Sequence, residues 1–227
     1  MKRLEIATLL NTEHTIAKQL FAGKNYAYEV LPQIGEFINN LCLSLDKEKF
    51  ANLGDGVFVA KTAKVASTAH ITGPCIIDAG AEIRHCAFIR GNVIIGKNAV
   101  VGNSTELKNA VLFDGVQVPH YNYVGDSVLG YRSHLGAGAI TSNVKSDKTN
   151  VSVMLDGKKI NTGFKKFGAI LGDNVEVGCG SVLNPGTVIG RGTNIYPLSM
   201  VRGYIAENSI YKNRNEIVEK VWKSGTF

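Results

Sequence analysis

The chain has 227 residues, a formal net charge of +6, 25 glycines and only 19% charged residues. That length allows one large domain or two small ones. A Gly-rich, charge-poor composition is unlike a nucleic-acid-binding arm or a disordered tail.

The four cysteines, Cys42, Cys75, Cys86 and Cys179, show no CxxC spacing. They read as free, buried thiols in a reducing compartment rather than a disulfide frame. Lys2 and Arg3 precede a short apolar run that stops at Asn11. It is too brief for a signal peptide or a bilayer span. The expectation is a cytoplasmic protein with neither membrane nor nucleic acid among its partners.

Residues 1–50 are expected to form a small helical cap. Asn11 or Thr12 can cap a helix through Ile16, Ala17, Leu20 and Phe21, with Gly23 as its stop. Pro32 suits the first turn of a second helix carrying Ile34, Phe37, Ile38, Leu41 and Leu45 on one face. The segment has no glycine-rich phosphate loop.

From Val59 a six-residue period begins: Val59, Val65, Ile71, Ile77, Ile83, Ile89, Ile95, Val101, Leu107, Phe113. A small or β-branched residue follows most of these four positions later, as at Ala63, Ala69, Cys75, Ala81 and Ala87. The beat resumes at Tyr123, Leu129 and Leu135, and again at Leu171, Val177, Leu183, Ile189, Ile195 and Val201. A helix would repeat every three or four residues and an ordinary strand every two. A period of six fits a solenoid of short strands joined by tight turns. Glycines directly after the aliphatic (Gly96, Gly102, Gly136, Gly172, Gly178, Gly190) let the backbone turn where a Cβ would crowd.

Two segments depart from the beat. Pro119 to Tyr123 spans four residues where six are expected, and holds His120. Residues 143–168 form a loop insertion, within which Asp156-Gly157 marks a hairpin. Its lysines (Lys145, Lys148, Lys158, Lys159, Lys165, Lys166) fit either a solvated face or neutralisation of a phosphate. After Val201 the beat ends. Residues 205–227 are expected to form a C-terminal helix, capped at Asn208 or Ser209, with Ile210, Ile217, Val218, Val221 and Trp222 apolar. It would cover the open end of the solenoid.

Two readings of the break stand side by side at this point: a solenoid with no chemistry, and a site for acyl transfer. Acetylating an amine requires a base for the attacking nitrogen, and a neutral His serves at neutral pH. His120 alone of the five histidines lies in the break of the period. The Gly136-Ala137-Gly138 backbone can supply a donor to the thioester oxygen.

The period resembles the hexapeptide repeat of left-handed parallel β-helix acyltransferases, in which three hexapeptides form one triangular coil. The stretches FIR, GN…ELKNA, PHYNYVGDSVLG, LGAGAITSN and KKFGAILGDNVEVG sharpen this. They resemble the acetyltransferase domain of the bifunctional glucosamine-1-phosphate acetyltransferase/N-acetylglucosamine-1-phosphate uridylyltransferases, and of related sugar-1-phosphate nucleotidylyltransferases. The resemblance implies an all-β solenoid over residues 51–204. It implies acetyl-CoA as co-substrate, no metal requirement, and a homotrimer with sites between subunits. His120 is then the general base and Asn143 lies by the acceptor amine. Arg90, Lys108 and Tyr123 hold the amino-sugar phosphate, and a loop lysine from a neighbouring subunit completes the site. Ala137, Cys179 and Tyr196 line the coenzyme A groove. His134 stands where the family has a sugar-binding Asn. Thr149 stands where it has a lysine, with Lys148 adjacent. The arginine that contacts coenzyme A has no clear counterpart, although Lys212 is nearby. The nucleotidyl-transfer domain has no counterpart in these residues.

The expected function is therefore acetyl-CoA-dependent N-acetylation of a hexosamine 1-phosphate or a related nucleotide sugar. The alternative is a non-catalytic β-helix trimer that binds sugar phosphates or nucleotides. A γ-carbonic-anhydrase-like zinc site would need a third histidine soon after His120, and position 125 is Gly.

Overall fold

The computed structural model describes residues 1–221. Short parallel strands stack into three ladders, giving the left-handed parallel β-helix that the six-residue period implies. In the first ladder Val59 pairs with Ile77 and Ile77 with Ile95. The second stacks Val65, Ile83 and Val101, and the third Ile71, Ile89 and Leu107. These aliphatics point into the prism, where most are fully buried. Burying each such side chain contributes roughly 1.5–3 kcal/mol.

The period slips where two corners are shortened, and neither is Pro119–Tyr123. Leu107 pairs with Ile89 but Leu112, not Phe113, pairs with Ile95. Likewise Val124 pairs with Leu107 and Leu129 with Leu112. The shortened corners turn at Asn109 (φ 48°) and Asp126 (φ 47°), both left-handed. Between them Val118 to Val124 keeps the full spacing, since these residues pair with Val101 and Leu107. Val124 rather than Tyr123 therefore faces the core. Phe113 lies at a corner, edge-on to Phe21 at 5.4 Å.

The glycines after the aliphatics are required by close approach. A Cβ on Gly96 would come within 2.6 Å of the Asp114 nitrogen, and one on Gly102 would fall inside the Pro119 carbonyl.

The first face is covered by the chain itself. Its outward residues Ile76, Ile94, Val111, Val128, Ile170 and Val188 are at most 1% exposed. Residues 1–50 lie along this face as a sheath, not as a plug at one end. The helix Ile34–Cys42 packs on Cys75–Ile77, Val93–Ile95 and Glu106–Leu112. Pro32 sits inside a 3₁₀ turn, Ala27–Gln33, that precedes this helix. Upstream, the expected first helix is replaced by short turns, Thr12–His14 and Lys18–Phe21, although Asn11 does cap with its side chain. The reason is that the sheath's carbonyls are claimed by solenoid corners: Asp114 N–H donates to His14 O and Asp173 N–H to Leu9 O. The hairpin Ser152–Leu155/Lys158–Asn161 of the insertion continues the cover over Thr187–Ile189 and Tyr204–Ile205.

The expected C-terminal helix is corrected. Ser209–Asn213 is the last rung of the second ladder, pairing Ile210 with Asn194. Glu216–Glu219 closes that edge as an antiparallel strand. The open edge claims these backbone groups before a helix can form. Trp222 lies outside the described residues. Among the described residues no helix is long and apolar enough to cross a membrane.

Candidate active site

His120 ends the strand Gln117–His120, at the corner joining the second face to the third. The corner is a line of stacked turns tied through the backbone. Tyr121 N–H donates to Asn103 O, Gly138 N–H to His120 O, Gly180 N–H to Ala137 O and Leu198 N–H to Cys179 O. His120, Ala137 and Cys179 thus follow one another up a single edge, one coil apart. Tyr196 stands beside the next turn, 45% exposed.

Of the backbone donors at 136–138, Gly136 N–H is spent on Val177 O and Gly138 N–H on His120 O. Ala137 N–H has no acceptor among the described residues, so it is the donor left for a ligand. Buried Asn122, which sequence reasoning left without a role, holds this edge together. It accepts from His120 N–H at 3.1 Å and donates to Gly136 O and Ala139 O at 2.8 and 3.0 Å. The His120 side chain is exposed, with no hydrogen-bonding partner among the described residues.

Three residues after His120, the third face begins with Tyr123. The Asn143 amide donates to the Tyr123 hydroxyl at 3.2 Å and to Asp126 Oδ2 at 2.5 Å. Asn109 donates to Asp126 Oδ1 at 2.9 Å and to Leu31 O of the sheath at 3.2 Å. Asp126 was also missed at the sequence level. Its signal was the Gly125-Asp126 turn within the PHYNYVGD stretch. Burial, with Asp126 and Glu106 close by, pushes the Tyr123 phenol above its ordinary range. Gly125 keeps this cluster tight, because a Cβ there would meet the Tyr123 hydroxyl at 2.5 Å.

Arg90 and Lys108 occupy neighbouring rungs of the same face, outward of Ile89 and Leu107. Arg90 is bonded to Glu106 at 2.6 Å, and that carboxylate raises the guanidinium's pKa further. The structure thus brings Arg90, Lys108, Tyr123 and Asn143 onto one face, beside the edge carrying His120 and Ala137. His134 is not brought to them. It lies on the second face, its Nδ1 2.7 Å from Glu176. Lys148 sits at the exposed tip of the loop with φ 58°. Lys145 is held by Asp147 and Thr149, and hydrogen bonds from the Thr149 N–H and hydroxyl, then Lys145, lower Asp147 to about 2. A cavity of about 380 Å³ beside Asn143 is lined by Ser142, Lys145, Ser152, Lys159, Asn184 and Arg202. Val144, Met154 and Pro185 line it as well, so its cations and hydroxyls, groups that can meet an anion, stand beside an apolar wall.

The stacked turns, the hexapeptide period and the three parallel ladders define a hexapeptide-repeat β-helix protein. The family model of the GMPPB C-terminal domain matches residues 71–218, and the chain belongs to that family. It is 32% identical over 175 residues to the bifunctional protein GlmU of Methanococcus maripaludis strain C5, covering 69% of this chain and 42% of that protein. It is 33% identical over 187 residues to a bifunctional sugar-1-phosphate nucleotidylyltransferase/acetyltransferase of Sulfurisphaera tokodaii, covering 74% and 46%. The chain therefore spans less than half the length of these relatives. Among solved structures it is similar to the acetyltransferase domain of PglB from Neisseria gonorrhoeae FA1090 in complex with acetyl coenzyme A. That match has 14% identity and a TM-score of 0.34, covering 81% of this chain and 63% of that one.

Proposed function

We propose that the chain is an acetyl-CoA-dependent N-acetyltransferase acting on the amine of an amino-sugar phosphate or a nucleotide-linked amino sugar. The observation that carries this is the edge on which His120, the unclaimed Ala137 N–H and Cys179 stack beside the Tyr123–Asn143–Asp126 cluster. The relatives' names, which include acetyltransferase and sugar-1-phosphate nucleotidylyltransferase, supply the substrate class.

In this reading His120 takes a proton from the acceptor ammonium group, and the amine attacks the thioester carbonyl. Ala137 N–H donates to the oxyanion that develops. The intermediate collapses as the nitrogen gives up its second proton to solvent, coenzyme A leaves as its thiolate, and His120 passes the first proton to that thiolate. Lys108 and Tyr123 meet the sugar phosphate, together with Arg90 once the phosphate competes with Glu106 for its guanidinium. Cys179 and Tyr196 flank the coenzyme A path, and the Lys145–Lys159–Arg202 cavity suits its phosphates. The sheath on the first face supports a homotrimer built through the other two. Tyr121, Leu198 and Met200, all more than half exposed, lie on or between those faces. Such an assembly would bring His134 and Lys148 to a neighbour's site.

The test is thiol release from acetyl-CoA with glucosamine 1-phosphate, galactosamine 1-phosphate and UDP-linked amino sugars in turn. Turnover with one acceptor, abolished in His120→Ala, is expected. One observation favours a second reading, a non-catalytic binding module: among the described residues no hydrogen bond orients the His120 imidazole. Acetyl-CoA or sugar-phosphate binding without turnover on any amine would select it.

A further inference from the structure

The cysteines are not all buried, as their sequence setting suggested. Cys75 is enclosed and burial pushes its thiol far up, and burial also raises half-buried Cys42. Cys86 and Cys179 are exposed. Cys86 stands on the same edge as His120, at the turn two coils below Tyr121, about 10 Å away at the usual strand spacing.

Its surroundings are organised. Cys86 Sγ lies 3.2 Å from His85 Nε2, and His85 Nδ1 lies 2.7 Å from Thr68 Oγ1. Both ring nitrogens are thus used, from opposite sides. With Nδ1–H donating to the Thr68 hydroxyl, the Nε2 lone pair faces the thiol. The coil above pins His85 in turn, as Asn103 Nδ2 and Ser104 N–H donate to its carbonyl at 3.1 and 3.3 Å. Thiol, imidazole and hydroxyl come from two successive coils and a third braces them. This is the nucleophile–base–orienter order of thiol chemistry. The left-handed φ of Cys86 is shared by Ser104, Tyr121 and Leu198 on this edge, so it belongs to the turn and adds nothing to the case.

We propose that Cys86 is a nucleophilic thiol, with His85 as its base and Thr68 orienting His85, and that it accepts acyl groups from acyl thioesters. The Sγ–carbonyl bond forms as the donor's carbon–sulfur bond breaks. The Cys86 proton passes to His85 Nε2 and then to the departing thiolate. One thioester replaces another, so no oxidant or further reactant is needed. This site is separate from the amine acetylation above and does not depend on it.

The probe is N-acetyl-S-acetylcysteamine, a small thioester that needs no coenzyme A groove. The full chain is incubated with it at neutral pH, quenched in acid and mapped by peptide mass spectrometry. Exposed Cys179 serves as the reference in the same molecule. Cys86 is expected to acetylate about tenfold faster than Cys179 or more. His85→Gln should bring its rate down to that of Cys179, and Thr68→Val should slow it severalfold. Circular dichroism and thermal melting of each variant separate loss of reactivity from loss of fold. Equal rates at Cys86 and Cys179, or a Cys86 rate unmoved by His85→Gln in a folded variant, overturn the proposal.

Discussion

Asn143, from the start of the insertion, donates its amide to the buried Asp126 carboxylate at 2.5 Å. Asp126 also accepts from Asn109 one coil below. The carboxylate thus fixes both the shortened corner and the residue expected beside the acceptor amine. In Asp126→Asn an amide would face two amide donors. Hydrogen bonds to charged groups contribute about 1.5–3 kcal/mol each. The expected loss is about 2–4 kcal/mol in urea unfolding, with a fall in acetyl transfer beyond what unfolding explains. A variant as stable and active as the parent would remove Asp126 from this role.

His120 and Asn122 divide chemistry from structure on the same turn. The His120 side chain is exposed, whereas Asn122 is 2% exposed and makes three main-chain hydrogen bonds. His120→Ala should cost on the order of 10²–10⁴ in rate with an unchanged melting temperature. Asn122→Ala should lower the melting temperature, because it leaves buried backbone groups unpaired at about 1–3 kcal/mol apiece. Thermal scans beside thiol-release rates check both. Equal melting losses in the two variants would contradict this division.

The solenoid was legible because its inward positions are aliphatic at a constant interval. The slip was misplaced because Val111, Leu112 and Phe113 are all apolar for different reasons. Leu112 faces the prism, Val111 lies under the sheath and Phe113 meets Phe21 at a corner. That placed His120 in a break that belongs to Asn109 and Asp126. The sheath had a signal too. Every third hexapeptide is apolar at its outward position as well, as at Ile76, Ile94 and Ile170, so that face had to be covered. The C-terminal residues Ile210, Ile217 and Val218 fit a helical face equally well. Pairing of Ile210 with Val218 across the hairpin decides otherwise, and nothing local announces it. At the site, Arg90, Lys108, Tyr123 and Asn143 do share a face. His134 and Lys148 do not join them, because a single chain brings together only what its own coils stack.

Gly102 tests how closely the coils must approach. A Cβ there would overlap the Pro119 carbonyl, one residue before His120. The neighbour is backbone within a parallel ladder and cannot rotate away. Gly102→Ala should destabilise by about 1–3 kcal/mol or more, as overpacking does. It should also reduce acetyl transfer by displacing the His120 turn. Measuring urea midpoint and rate together checks this, and a silent substitution would mean that the coils have slack at this edge.

Tyr28 joins the sheath to the insertion, its ring 5.5 Å from Phe167 and 6.3 Å from Phe164. Burial first, then the Glu29 charge, raises its phenol to about 12, above the ordinary value of about 10. Because the folded pKa is raised, the neutral phenol favours the folded state fully below pH ~10, and that advantage is lost as pH climbs from about 10 to about 12. Two pKa steps correspond to about 2–3 kcal/mol. The urea midpoint of the parent should therefore fall across that window. Tyr28→Phe keeps the ring packing and has no proton to lose, so its midpoint should fall by visibly less. Parallel midpoint curves for the two proteins between pH ~9 and pH ~12 would show that Tyr28 ionises as readily folded as unfolded.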